Sequence, residues 1–88
     1  MKTAFRVSFA RDLKSVRDKK LLRRVKGCIE TVEKADSLGD LPNLKKLKGA
    51  KIYFRLKLGD CRSGIALEDN TLVFVRFLDR KDIYKYFP

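Results

Sequence analysis

Histidine is absent from this chain, cysteine occurs only twice, and no apolar run approaches the length of a membrane span. Each shortage narrows the chemistry. With no histidine and only Cys28 and Cys61, neither a zinc site nor a cysteine–histidine catalytic pair can be assembled, so neither a metal nor a cofactor is expected. Both thiols stand where apolar residues belong and read as buried free thiols in preference to a disulfide. The opening MKTAFRVSFARDL lacks the apolar stretch of a signal peptide, which predicts a cytoplasmic protein. Acidic residues are also scarce, 11 against 22 lysines and arginines, for a net charge of +11. That excess predicts a polyanionic partner: nucleic acid, an anionic membrane surface or a strongly acidic protein.

What is present suffices for one domain, residues 1–88, with a single core. Hydrophobic residues make up 44% of the chain, too many for disorder despite the charge. AFRVSF (4–9) alternates as a first strand. Ser8 is a candidate cap for a short helix through Val16, with Phe9, Leu13 and Val16 inward. Asp18 is a candidate cap for a second helix, whose Leu21, Leu22, Val25, Cys28, Ile29, Val32 and Ala35 form one apolar stripe. Gly39 and Pro42 are expected to end it. Lys19, Lys20, Arg23, Arg24 and Lys26 cover its other faces, and that run reads as a solvated helix surface in preference to a binding site.

NLKKLKGAK (43–51) reads as a basic connector anchored by Leu44 and Leu47. Tyr53 to Leu58, Cys61 to Glu68 and Thr71 to Leu78 read as three strands joined by Gly59-Asp60 and Asp69-Asn70, both suited to two-residue hairpin loops. Asp79 is a plausible cap for a last helical turn. The expected fold is α+β: two N-terminal helices on one face of a small, mainly antiparallel four-stranded sheet, with a short C-terminal helical turn. Phe54, Leu56, Leu58, Ile65 and Leu67 would face the helices, leaving the opposite face open.

On that open face, a Gly59-Asp60 turn pairs Lys57 with Arg62 and Arg55 with Gly64. Like charges across a sheet repel, and no carboxylate falls on this face between 53 and 67. Small Gly64 and Ala66 are expected to leave a shallow depression beside the cations. Cations alone can grip a phosphodiester and stabilise its pentacovalent transition state. A lysine could also serve as base if cationic neighbours lowered its pKa from about 10.4 toward neutrality. RNA carries its own nucleophile in the 2′-hydroxyl, so metal-free RNA cleavage is feasible with this inventory. DNA hydrolysis would lack an attacking group.

LKKLKG, YFRLKLGDCR and VFVRFLDRKDIYKYF together resemble the RelE/ParE superfamily of bacterial toxins, nearer its RelE branch, and the likeness extends over nearly the whole chain. The resemblance implies a toxin held inactive by an acidic cognate antitoxin, monomeric alone and hetero-oligomeric with it. It further implies a metal-independent endoribonuclease that cuts mRNA in the ribosomal A site. Lys57 matches the family's proposed general base, Arg62 the arginine bracing the phosphate, Arg80 the group steadying or protonating the departing 5′-oxygen, and Tyr84 an orienting, stacking tyrosine. Without the resemblance, Tyr84 could equally pack the last turn beside Ile83 and Phe87. Arg55, Lys48, Lys51 and Lys81 are expected to hold RNA, and Lys19, Lys20, Arg23 and Arg24 to meet the ribosome. Cys61 departs from the pattern where an aromatic is common, and so does Asp79 where many relatives have histidine, which leaves the final proton donor open. Two other readings stay open: a ParE-type gyrase inhibitor without catalysis, and a basic RNA-binding protein.

Overall fold

A computed structural model describes residues 1–49 and 51–88. In chain order the elements are β1 (Lys2–Phe5), α1 (Val7–Lys14), α2 (Lys19–Lys34), a 3₁₀ turn (Leu38–Asp40), β2 (Leu44–Lys46), β3 (Tyr53–Leu58), β4 (Cys61–Glu68), β5 (Thr71–Asp79) and α3 (Ile83–Tyr86). They build one sheet of order β1-β5-β4-β3-β2, antiparallel except for the β1–β5 pair. The α+β expectation holds, with five strands in place of four. The added strand is β2, within the basic connector, where Leu44, Lys45 and Lys46 pair with Leu56, Arg55 and Phe54.

The β3–β4 hairpin keeps the expected register, with Lys57 opposite Arg62 and Arg55 opposite Gly64, and both hairpins have the expected two-residue loops. Their turns differ in kind. Gly59 has φ +60 and Asp60 does not share it, the pattern of a type II′ turn, whereas Asp69 and Asn70 both have positive φ, as type I′ requires. A register shift follows Gly64: Gly64 pairs with Arg76 but Ile65 with Phe74, so Val75 bulges from β5. Beyond the end of β1, α1 covers the free edge there. The Ser8 hydroxyl donates to the Val75 carbonyl, and the Asp12 carboxylate accepts from the Phe77 N–H and from Arg76. Ser8 is thus an edge tether, and the residue flanking α1 is Arg6, in extended backbone. The first strand is correspondingly shorter than expected and begins earlier.

Helix α2 is capped as expected: the Asp18 carboxylate accepts from the N–H groups of Lys20 and Leu21. It stops at Lys34, before Gly39 and Pro42, because Ala35 turns to extended backbone and the Met1 amino group takes the Val32, Glu33 and Ala35 carbonyls. Between helices and sheet lies the main core of Phe9, Val25, Val32, Leu41, Leu56, Leu58, Ile65, Leu72, Phe74 and Phe77. A second, smaller cluster occupies the other face: Leu47, Ile83 and Phe87, against Tyr53, Val75 and Leu78. The face opposite the helices is therefore only half open. The depression expected at Gly64 and Ala66 is filled by the Phe87 ring, which lies where a Cβ on Gly64 would be 2.6 Å from its Cδ1 and Cγ.

Candidate RNA-processing face

Directly paired strand residues share a face, so the register alone places a row of cations across the sheet. Lys45 stands opposite Arg55, and Lys57 opposite Arg62. Lys45 was not among the residues expected from sequence. Its signal lay in the LKK of the connector, which a three-residue edge strand turns into one more cation beside Arg55. Among the described residues only two ion pairs form, Arg6–Glu68 and Arg76–Asp12, and none of the expected site cations belongs to either. The face keeps its charge.

The β3–β4 turn organises one end of that face. Arg62 folds back so that its Nη1 donates to the Gly59 carbonyl at 2.7 Å and the Cys61 carbonyl at 2.8 Å. A guanidinium has five N–H donors, so Nε and Nη2 are left to meet an anion. The backbone N–H of Arg80 donates to the carbonyl of Asp60 at 2.9 Å. Three successive turn carbonyls thus anchor Arg62 and Arg80 together, across from Lys57. Asp79 is otherwise engaged, since its carboxylate accepts from the Lys81 N–H and closes the turn before α3. The expected cap therefore serves that turn; Asp82 flanks α3 itself, without a side-chain hydrogen bond.

A second group gathers at the other side of α3. Lys48 and Tyr84 line a groove of about 360 Å³ with Leu47, Gly49, Phe87 and Pro88. Tyr84 is 63% exposed while Ile83 and Phe87 are buried, so packing of the last turn falls to those two and the phenol is left at the surface. Lys51 and Lys81 are exposed nearby in sequence but share no hydrogen bond or ion pair with these groups. Lys19, Lys20 and Arg23 are exposed on α2, in the layer behind the sheet. Cations at a helix N-terminus oppose its dipole, and α2 has no acid in its first turn, so Lys19 and Lys20 are not placed there by helix electrostatics. Arg24 departs from that group and reaches the β3–β4 turn.

The cysteines sit in the helix-facing layer. Burial pushes both thiols above their ordinary range; Asp79 and Asp60 push Cys61 further up, while Arg62 and Arg24 pull Cys61 down and Arg24 pulls Cys28 down. Among the described residues no three His, Cys, Asp or Glu side chains cluster as metal ligands, and no helix is long and apolar enough to cross a membrane.

No family model matches the chain. It is 42% identical to Toxin RelE3 of Methanocaldococcus jannaschii over the full length of both proteins. Its fold is similar to that in a RelB-RelE antitoxin-toxin complex from Methanococcus jannaschii, with TM-score 0.79 and 38% identity over 97% of this chain and 99% of the other. An archaeal RelE-RelB complex from Pyrococcus horikoshii shares the fold at TM-score 0.71 and 19% identity, over 90% and 93% of the two chains. A full-length likeness at this identity means that the chain belongs to the RelE family of toxins.

Proposed function

We propose that this protein is the toxin of a toxin–antitoxin pair and cuts messenger RNA in the ribosomal A site, with the substrate's own 2′-hydroxyl as nucleophile. The observation that carries the reading is a set of cations without an ion-pair partner among the described residues: Lys57 and Arg62, paired across the β3–β4 hairpin, and Arg80, whose backbone is tied to its turn. Lys57 takes the proton of the 2′-hydroxyl as that oxygen attacks the adjacent phosphorus. Arg62, through its free Nε and Nη2, and Arg55 hold the non-bridging oxygens as charge builds in the pentacovalent state. Arg80 steadies the departing 5′-oxygen. The bond from phosphorus to that oxygen breaks and the 5′-oxygen takes up a proton from solvent, leaving a 2′,3′-cyclic phosphate and a 5′-hydroxyl end. Tyr84 and Lys48 serve the neighbouring nucleotide, one offering a ring face and the other a charge to phosphate.

So few acid–base groups make the chain a poor nuclease on free RNA. Orientation by the ribosome can supply about 7 to 11 kcal/mol. RelB-RelE complexes, which the fold resembles, pair a toxin with an antitoxin; here that partner would be acidic, neutralising part of the +11 charge and covering this face. Inducing the protein and mapping transcript 5′ ends, with a parallel assay for DNA damage, tests the proposal. Codon-phased cuts within reading frames support it. DNA damage without cuts would point to gyrase inhibition, and RNA binding with neither would leave only a basic RNA-binding protein.

A further inference from the structure

Gly59 is approached from two sides. A Cβ built on it would lie 2.7 Å from the Arg24 Nη1, 3.4 Å from its Cζ and 3.5 Å from its Nη2, so the guanidinium of an α2 residue lies against the turn. From the other side Arg62 holds the carbonyls of Gly59 and Cys61. Two like charges flanking one glycine are unfavourable unless each has a partner. Arg62 has its carbonyls, whereas Arg24 forms neither an ion pair nor a side-chain hydrogen bond among the described residues and meets the turn by packing alone. The cleft it borders, about 320 Å³, is lined by Asp18, Lys20, Leu21, Asp60 and Cys61. Glycine therefore meets two demands at position 59: a left-handed backbone at φ +60 and room for Arg24.

The consequence reaches the chemistry, because both arginines of the phosphate site hang from this turn: Arg62 through Gly59 and Cys61, Arg80 through Asp60. We propose that Arg24 is a positioning residue, a strut from α2 that fixes the β3–β4 turn and thereby sets the separation of Arg62 and Arg80. It does not touch substrate. The role rests on the RNA-cleavage reading for its catalytic consequence, but not for its structural one. It also separates Arg24 from Arg23, its neighbour on the helix: both are exposed, but the Arg24 guanidinium lies against the Gly59 turn.

Two measurements on the full chain test this. The first is single-turnover cleavage of ribosome-bound mRNA across ribosome concentrations, for Arg24→Gln, Arg24→Lys and Arg23→Ala. Misplacing a catalytic group by about 1 Å can lower the plateau rate about a hundredfold. Arg24→Gln should show that loss with an unchanged half-saturating concentration. Arg24→Lys should not restore the plateau, because the planar fork against the turn is lost though the charge remains. Arg23→Ala should raise the half-saturating concentration and leave the plateau intact. The second is amide hydrogen exchange in the free protein, where the Arg80 N–H should exchange faster in Arg24→Gln while amides of the β1–β5 pair keep their protection. A shifted half-saturation with a normal plateau in Arg24→Gln, or full rescue by lysine, would make Arg24 a ribosome contact and overturn the proposal. Unchanged exchange at Arg80 would overturn it as well. Should the wild-type protein cut nothing, the RNA-cleavage reading fails, and the exchange experiment still decides whether the strut exists.

Discussion

Gly64→Ala is the smallest change that should dislodge the C-terminal turn. Gly64 has no left-handed backbone to explain it; what it meets is the Phe87 ring, with Cδ1 and Cγ at 2.6 Å and Cδ2 at 2.7 Å from an added Cβ. Contacts that short cannot be absorbed by a small tilt, since the ring is only 4% exposed and wedged edge-on against Tyr53 at 84°. The ring must leave or the turn must shift. Expelling a buried phenylalanine costs about 1.5–3 kcal/mol in lost burial, and in a domain of this size about 2 kcal/mol lowers the melting temperature by roughly 10 °C. Thermal and urea unfolding of Gly64→Ala, Phe87→Ala and the double variant measure it. If the clash is the cause, Phe87→Ala makes room for the new methyl. The double variant should then be destabilised by about as much as Phe87→Ala alone, a coupling of about 1 kcal/mol or more. Cleavage should fall in Gly64→Ala too, because Tyr84 rides on the displaced turn. Wild-type stability for Gly64→Ala, or effects that simply add, would refute the reasoning.

Arg62→Ala and Arg80→Ala should each slow single-turnover cleavage about a hundredfold or more, as loss of one transition-state donor does; wild-type rates would remove either from the site. Lys57→Arg keeps the charge and loses the accessible base, so it should saturate with ribosomes normally and cut slowly; a normal rate would make Lys57 a phosphate clamp. Asp12→Ala removes the acceptor for Arg76 and for the Phe77 N–H at the bulge, which should cost about 2–3 kcal/mol in urea unfolding; a change under about 0.5 kcal/mol would show the bulge is held otherwise. Burial, then Asp79 and Asp60, raise the Cys61 pKa, so its thiolate is scarce until the pH passes the ordinary cysteine range. Alkylation of Cys61 at mildly alkaline pH should therefore lag a free thiol and catch up only at higher pH. Equal rates would contradict that assignment.

The site's hairpin was legible from sequence because two-residue turns fix register, and register decides which side chains share a face. Arg55, Lys57 and Arg62 fell where expected for that reason alone. Asp18 was legible as a cap because its chemistry is local. What escaped was tertiary. Three residues of basic sequence carry no strand signal, so β2 and Lys45 emerged only from pairing with β3. Nothing near Gly64 announces that Phe87 will fill the space beside it, nor does the α2 pattern show which of its arginines reaches the Gly59 turn. Ser8 looked like a helix cap, but the exposed edge of β5 claimed its hydroxyl.

The central claim is that cations on this sheet face cut RNA by using the 2′-hydroxyl that RNA itself carries. The direct measurement is single-turnover cleavage of a ribosome-bound message with one 2′-deoxynucleotide on the 5′ side of the mapped cut. The account predicts unchanged binding, no cut at that linkage and, in the all-ribose control, a product ending in a 2′,3′-cyclic phosphate. Cleavage of the deoxy linkage at the all-ribose rate would contradict it.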